Sequence, residues 1–273
     1  MIIEERDMYR TRLISAIFAI FLAIPSFCLA QTSGVGSING GLAKGGAGST
    51  ALVTKLGTLV DRGVFNRVAN RSKKTTSSKR SNSKNTKPGK TTANSNDPVK
   101  LADASVLKFR PGGNSGVDRS LAGLLSEEAE VQQGLLLIFS ETKKAYDSEA
   151  AKLGRKNDLA FAMTFFITTA VTVHNDAPEP SDAATENLYK TLAESMRESE
   201  NIAQMSDRDK ELASDALVYV SGLILAGYIT SKDSGDDETL GIYRQAAADT
   251  LLALTGISAD RMLFTEDGLD FTP

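Results

Sequence analysis

Apolar positions recur every three or four residues over most of the chain, in blocks cut by Gly, Pro and short Ser/Asp-rich stretches. That spacing places one apolar stripe on each helix and predicts a helical protein. The first apolar block, residues 13–24, is continuous rather than periodic. Leu52, Leu56, Leu59, Val60, Val64 and Val68 then follow helical spacing, predicting a short amphipathic helix over 50–69, weakened by Gly57 and Gly63. Residues 70–100 hold no large apolar residue except Val99. Such a stretch buries too little surface to offset its ordering entropy, so it reads as a disordered linker.

From residue 101 the pattern turns globular. Val106 to Phe109 reads as a short extended segment stopped by Pro111, followed by a helix over 117–125. Ser126 with Glu127 and Glu128 reads as the cap of a helix running through Leu135, Ile138, Phe139 and Tyr146 to Gly154. Asn157 or Asp158 caps the next element, where Leu159, Phe161, Met163, Phe165, Phe166, Ile167, Val171 and Val173 leave almost no polar face. A helix apolar all round belongs in the centre of a bundle. Its β-branched content leaves a buried strand pair as the alternative. Beyond Pro178 and Pro180, an amphipathic helix spans 181–204. Ser206 to Asp209 approximates a capping box for a helix through Leu212, Leu217, Leu223 and Gly227. A polar turn over 231–237 precedes a last helix from about Glu238 to Gly256, with Ile257 making a hydrophobic cap contact. Alternation around Glu266, Asp267 and Gly268 predicts a hairpin-like tail. The fold class is all-α: an antiparallel helical bundle with a hairpin-like tail, preceded by a disordered basic linker.

Flanking residues give the first apolar block a meaning. Arg10 and Arg12 precede it, Pro25 breaks it, and Cys28 and Ala30 supply small residues before Gln31. This is the pattern of a secretory signal peptide over 1–30, too short for a stable membrane anchor. Glu4, Glu5 and Asp7 are unusual in such a leader, and a start at Met8 gives a cleaner one than Met1. A lipoprotein cut at Cys28 is disfavoured by Phe27 before it. Removal of Cys28 leaves a chain without cysteine, which excludes disulfides, thiol catalysis and a cysteine zinc site. The expected location is exported, periplasmic or secreted, with no transmembrane segment in the mature chain.

Charge then divides the rest. Residues 31–100 carry thirteen Lys and Arg against Asp61 and Asp97, a net of +11; residues 101–273 carry fifteen against twenty-nine acids, a net of −14. The resulting organisation is a Gly-rich tether over 31–49, the helix over 50–69, a basic linker over 70–100 and an acidic helical domain over 101–273. Lys44 among the glycines lacks the Gly-Lys-Ser/Thr ending of a phosphate loop.

Gly154-Arg155-Lys156-Asn157-Asp158-Leu159-Ala160-Phe161-Ala162, and later the segment from Met262 through Thr265 and Gly268 to Leu269, resemble the two recurrent motifs of a family of exported bacterial proteins of unknown function. The resemblance covers about residues 108–273. It implies an architecture, with Gly154, Asn157, Asp158, Met262, Thr265 and Gly268 as structural motif positions, and no activity, substrate or cofactor. Phe264 and Leu269 stand where the family usually has Leu and Phe.

Candidate chemistry is sparse. His174 is the only histidine, so a histidine-rich metal site is impossible, and its place after the core helix reads as a C-terminal capping role. Glu194-Ser195 and Glu198-Ser199 resemble the Glu-Ser pair of lytic transglycosylases, but solvated helix face is the simpler reading. The acidic run 233–238 lacks the spacing of a calcium loop. No catalytic, cofactor-binding or metal residue is assigned. The expected function is a non-enzymatic exported module that binds a protein or cell-envelope component. Its basic arm at 70–100 suits weak contact with an anionic polymer or lipid headgroups, and sequence-specific nucleic-acid binding is not expected. A carboxylate-dependent hydrolase of envelope glycans is the alternative.

Overall fold

The computed structural model describes residues 103–272. The leader, the tether, the helix over 50–69 and the linker over 70–100 lie outside the described residues. Seven α-helices follow in the described part: α1 (Val117–Leu125), α2 (Ala129–Lys152), α3 (Leu159–Asn175), α4 (Asp182–Arg197), α5 (Glu200–Gln204), α6 (Asp207–Ser234) and α7 (Asp237–Thr255). A hairpin of β1 (Met262–Thr265) and β2 (Gly268–Phe271) closes the chain, paired antiparallel from Met262 with Phe271 to Thr265 with Gly268.

The core is organised by the two most apolar helices. Every residue of α3 from Leu159 to Val173 is buried, and the strand alternative for this segment is overturned by its continuous helix. Tertiary burial of both faces outweighs the β-branched preference for strand. α6 is long and apolar enough to cross a membrane by length and composition, yet 89% of its most apolar stretch is buried within the fold. These two helices make the most extensive contact, with α7 and α2 flanking α6 and α4 covering α3.

Neighbouring helices reverse direction, but the central pair does not. Asp176 at the end of α3 meets Tyr228 and Lys232 near the end of α6. At the other end, Tyr146 of α2 stacks on Phe161 and Phe165 of α3, while Lys143 reaches Asp215 of α6. α3 and α6 therefore run parallel. The amphipathic α4 and short α5 return the chain along the outside, because their charged faces cannot enter the centre.

Several boundaries differ from the pattern-based expectation. Residues 104–107 form a 3₁₀ turn capped by Asp103, and only Lys108 and Phe109 continue as extended chain. Ser126 ends α1 instead of opening α2; its hydroxyl accepts from Glu128 N, and α2 starts at Ala129. The helix expected over 181–204 breaks at Glu198, where Ser199 starts α5 by capping Ile202 N. α6 continues past Gly227 to Ser234, absorbing most of the expected polar turn, and Gly235 ends it in a left-handed conformation. Asp236 then caps α7 through Thr239 N, and Gly256 ends that helix as expected.

Candidate functional site

The first motif builds a buried polar hub where α2 hands over to α3. Gly154 takes φ 68° at the end of α2, and Arg155 N returns to Ala150 O at 2.6 Å. Asn157 is left-handed as well, at φ 53°, so it is not the cap; its backbone carbonyl accepts from Phe109 N at 3.1 Å. Asp158 is the cap. Its Oδ1 accepts from Ala160 N (3.0 Å) and Phe161 N (3.2 Å), while Oδ2 accepts from the Tyr189 hydroxyl (2.9 Å) and pairs with Lys108 Nζ (3.0 Å). Asp158 is 1% exposed. Both oxygens are thus committed to two donors each, which fills the carboxylate's acceptor capacity. Such a group has no lone pair left for a substrate proton without dismantling the start of α3.

The hub extends outward through aromatic contacts. The Arg155 guanidinium lies 3.6 Å from the Tyr189 ring centroid and pairs with Glu186, one turn earlier on α4. Burial first, and then the Asp158 charge, push the Tyr189 hydroxyl well above its ordinary range, so it stays a donor. Phe161 meets Tyr189 edge-on and Tyr146 at 5.4 Å.

The second motif grips the far end of α3 and the same α4. Asn175 Nδ2 donates to Met262 O at 3.1 Å, and Met262 is buried. Thr265 Oγ1 donates to Gly268 O across the turn at 3.2 Å, and Asn187 Nδ2 donates to Asp267 O at 3.0 Å. Gly268 has φ 136°, and a Cβ there would lie 3.5 Å from Asn187 Cβ, so the turn rests directly on α4. His174 stands beside this motif. Its Nε2 lies 2.9 Å from Asp260 Oδ1 and its Nδ1 3.4 Å from Arg244 O, so the ring bridges α7 and the 3₁₀ turn before β1 in addition to ending α3. Arg244 Nε donates back to His174 O at 2.9 Å.

The six motif positions therefore form two interlocks on α3 rather than one converging site. Asn187 and Tyr189 of α4 join them, one taking each motif, and neither stands out in the sequence of a charged amphipathic helix. A third buried polar group also escaped the pattern: Glu211, 3% exposed, accepts from Gly112 N at 3.1 Å and Arg208 Nη1 at 3.0 Å. Four residues on, burial raises the Asp215 carboxyl above its usual range, opposed by a hydrogen bond from Ser115 and by Lys143. Ser195 is buried in the core face of α4, and Ser199 caps α5. Among the described residues, no group of three or more His, Cys, Asp or Glu is placed to hold a metal ion.

Comparison with curated proteins and with solved structures finds no match. A family profile does match, over residues 56–272, a span that includes both motifs and extends through the basic linker. The chain belongs to the Family of unknown function (DUF6683).

Proposed function

We propose that the protein is an exported, non-enzymatic helical module that binds a protein or cell-envelope component, with residues 31–100 adding attraction to anionic surfaces. The observation that favours the non-enzymatic part of this reading is the saturation of Asp158. The one fully buried carboxylate of the first motif spends its acceptors on helix start, Tyr189 and Lys108, which is the arrangement of a structural lock. The leader supports export, and the net charge of +11 on residues 31–100 supports the anionic surface. Contacts of this kind are non-specific and fall steeply with salt.

The test is titration of polyphosphate, and of vesicles with and without anionic lipid, by the mature chain and by a form lacking residues 31–100. Binding that is lost on deletion and weakens steeply between low and physiological salt is the expected result. Binding equal in both forms would remove the arm from the account. Release of soluble fragments from purified envelope glycan would replace the non-enzymatic reading with the hydrolase.

A further inference from the structure

We propose that His174 is a proton-operated fastener: its imidazolium form ties the C-terminal hairpin to α3 and α7, and loss of the ring proton toward mildly alkaline pH loosens that joint. The fastening goes beyond the binding role proposed above and does not depend on it.

The partners of the ring set the preference. Nε2 lies 2.9 Å from Asp260 Oδ1, and Nδ1 lies 3.4 Å from Arg244 O. A carboxylate and a backbone carbonyl are acceptors only, so each ring nitrogen faces an oxygen that wants a donated hydrogen. An imidazolium carries a hydrogen on both nitrogens and satisfies both oxygens. A neutral ring carries one, and turns a lone pair on the other oxygen. The pair with Asp260 is also an ion pair only while the ring is charged.

Charges around the ring act on both sides of this balance. Asp260 Oδ2 accepts from Ser258 Oγ at 3.2 Å, which holds the carboxylate in place. These contacts, the His174 hydrogen bond first, keep the Asp260 carboxyl below its ordinary range, so it stays ionised wherever histidine titrates. Two residues beyond the ring on the chain, Asp176 is engaged by Tyr228 and by Lys232 Nζ of α6, the latter at 2.6 Å. α7 presents the Arg244 guanidinium, whose Nε donates to His174 O at 2.9 Å. Arg261 of the 3₁₀ turn is directed to Thr272 O at 3.0 Å. Arg244 and Lys232 oppose a charge on the ring, whereas Asp260, Asp176 and the carbonyl end of α3 favour it. β1 brings no titratable side chain, and the contact of α4 through Tyr189 is at the other end of α3.

The ring thus stands at the joint where α3, α7 and the turn leading into β1 meet. Beyond that joint the hairpin is held by Asn175 on Met262 O and by Asn187 on Asp267 O, and neither amide titrates. Loss of the ring proton therefore loosens the hairpin without detaching it. Opening uncovers Met262 and Leu269, both buried in the closed state.

Hydrogen exchange of the full chain, read by mass spectrometry and divided by the intrinsic rate at each pH, measures the joint. Between about pH 5 and about pH 8 the protection of segment 257–272 should fall roughly fivefold, the scale of one lost hydrogen bond, while segment 213–226 of α6 keeps its protection. H174Q should abolish this pH dependence, because glutamine does not titrate. Asp260 is exposed, so D260N leaves the core intact and should reduce the fall to about twofold or less. His174 is the only histidine, so nitrogen NMR of a ring-labelled chain reads it without assignment. Two protonated nitrogens at the acid end and Nε2–H alone at the alkaline end are expected. A parent whose hairpin protection ignores pH, an equal fall in α6, the same fall in H174Q or D260N, or a ring already neutral at the acid end would overturn the proposal. If H174Q does not fold, D260N and the ring spectrum decide.

Discussion

Asp158 and Asn157 sit side by side in the first motif and do different work, which substitutions separate. Asp158→Ala removes the cap of α3, worth about 1 kcal/mol. It also leaves the half-buried Tyr189 hydroxyl without its acceptor, for a further penalty of roughly 1–3 kcal/mol, whereas the exposed Lys108 ammonium returns to water. A loss of about 2–4 kcal/mol in denaturant unfolding is expected. Asn157 contributes a left-handed backbone, φ 53°, that Asn and Gly tolerate and Ala does not. Asn157→Ala should cost about 1 kcal/mol and Asn157→Gly little or nothing; equal losses in the two would mean that the side chain itself caps. Asp215 supplies a pH test. Burial raises its folded carboxyl above the unfolded value, so the folded state binds the proton more tightly. The stability this group contributes is complete below the unfolded value of about 3.9 and is lost as pH rises through the raised folded one. Asp215→Asn should therefore stabilise the protein at pH 7, with the gain vanishing near pH 3.5, and a variant less stable than the parent at pH 7 would show that Lys143 outweighs burial.

At the level of elements, α6 stays central because two of its glycines admit neighbouring helices. A Cβ on Gly222 would lie 2.1 Å from Thr142 Oγ1 of α2, and one on Gly227 2.0 Å from Cζ of the Tyr243 ring of α7. Glycine inside a helix costs about 1 kcal/mol in intrinsic propensity, so close packing has to outweigh that term. Gly227→Ala should lower the melting temperature despite its better propensity, with a penalty of roughly 1–3 kcal/mol from overpacking. Adding Tyr243→Leu should recover part of the loss, and additive effects in the double variant would separate the two residues. Helix identity, order and the central place of α3 were legible in the sequence because apolar spacing reports burial directly. The parallel pairing of α3 with α6 was not, since periodicity says which face is buried and nothing of what covers it. The same limit hid the hub: Asp158 is visible as a cap, whereas its partners Lys108 and Tyr189 lie 50 residues before and 31 after it in the chain. Helix ends were misread where Ser126 looked like a start and Gly227 like an end. Both residues satisfy local rules for a terminus, but Gly227 is retained for packing and Ser126 finishes the preceding helix.

For the whole molecule, the proposed export has consequences that require no partner to observe. The leader carries Glu4, Glu5 and Asp7 against Arg6, Arg10 and Arg12, so its removal leaves the formal charge at −3 and the opposition between arm and domain untouched. What it removes is Cys28, the sole cysteine. A mature chain starting at Gln31 therefore has no thiol, cannot form a disulfide in an oxidising compartment, and relies for its stability on the core around α3 and α6 and on the two interlocks that tie α3 to α4. Chain recovered from outside the cytoplasm should give an intact mass corresponding to residues 31–273 and no reaction with a thiol reagent. Its unfolding midpoint should be the same with and without reductant. A mass that retains residues 1–30, or one carrying acyl chains on Cys28, would overturn the cleavage and change the physics of the arm.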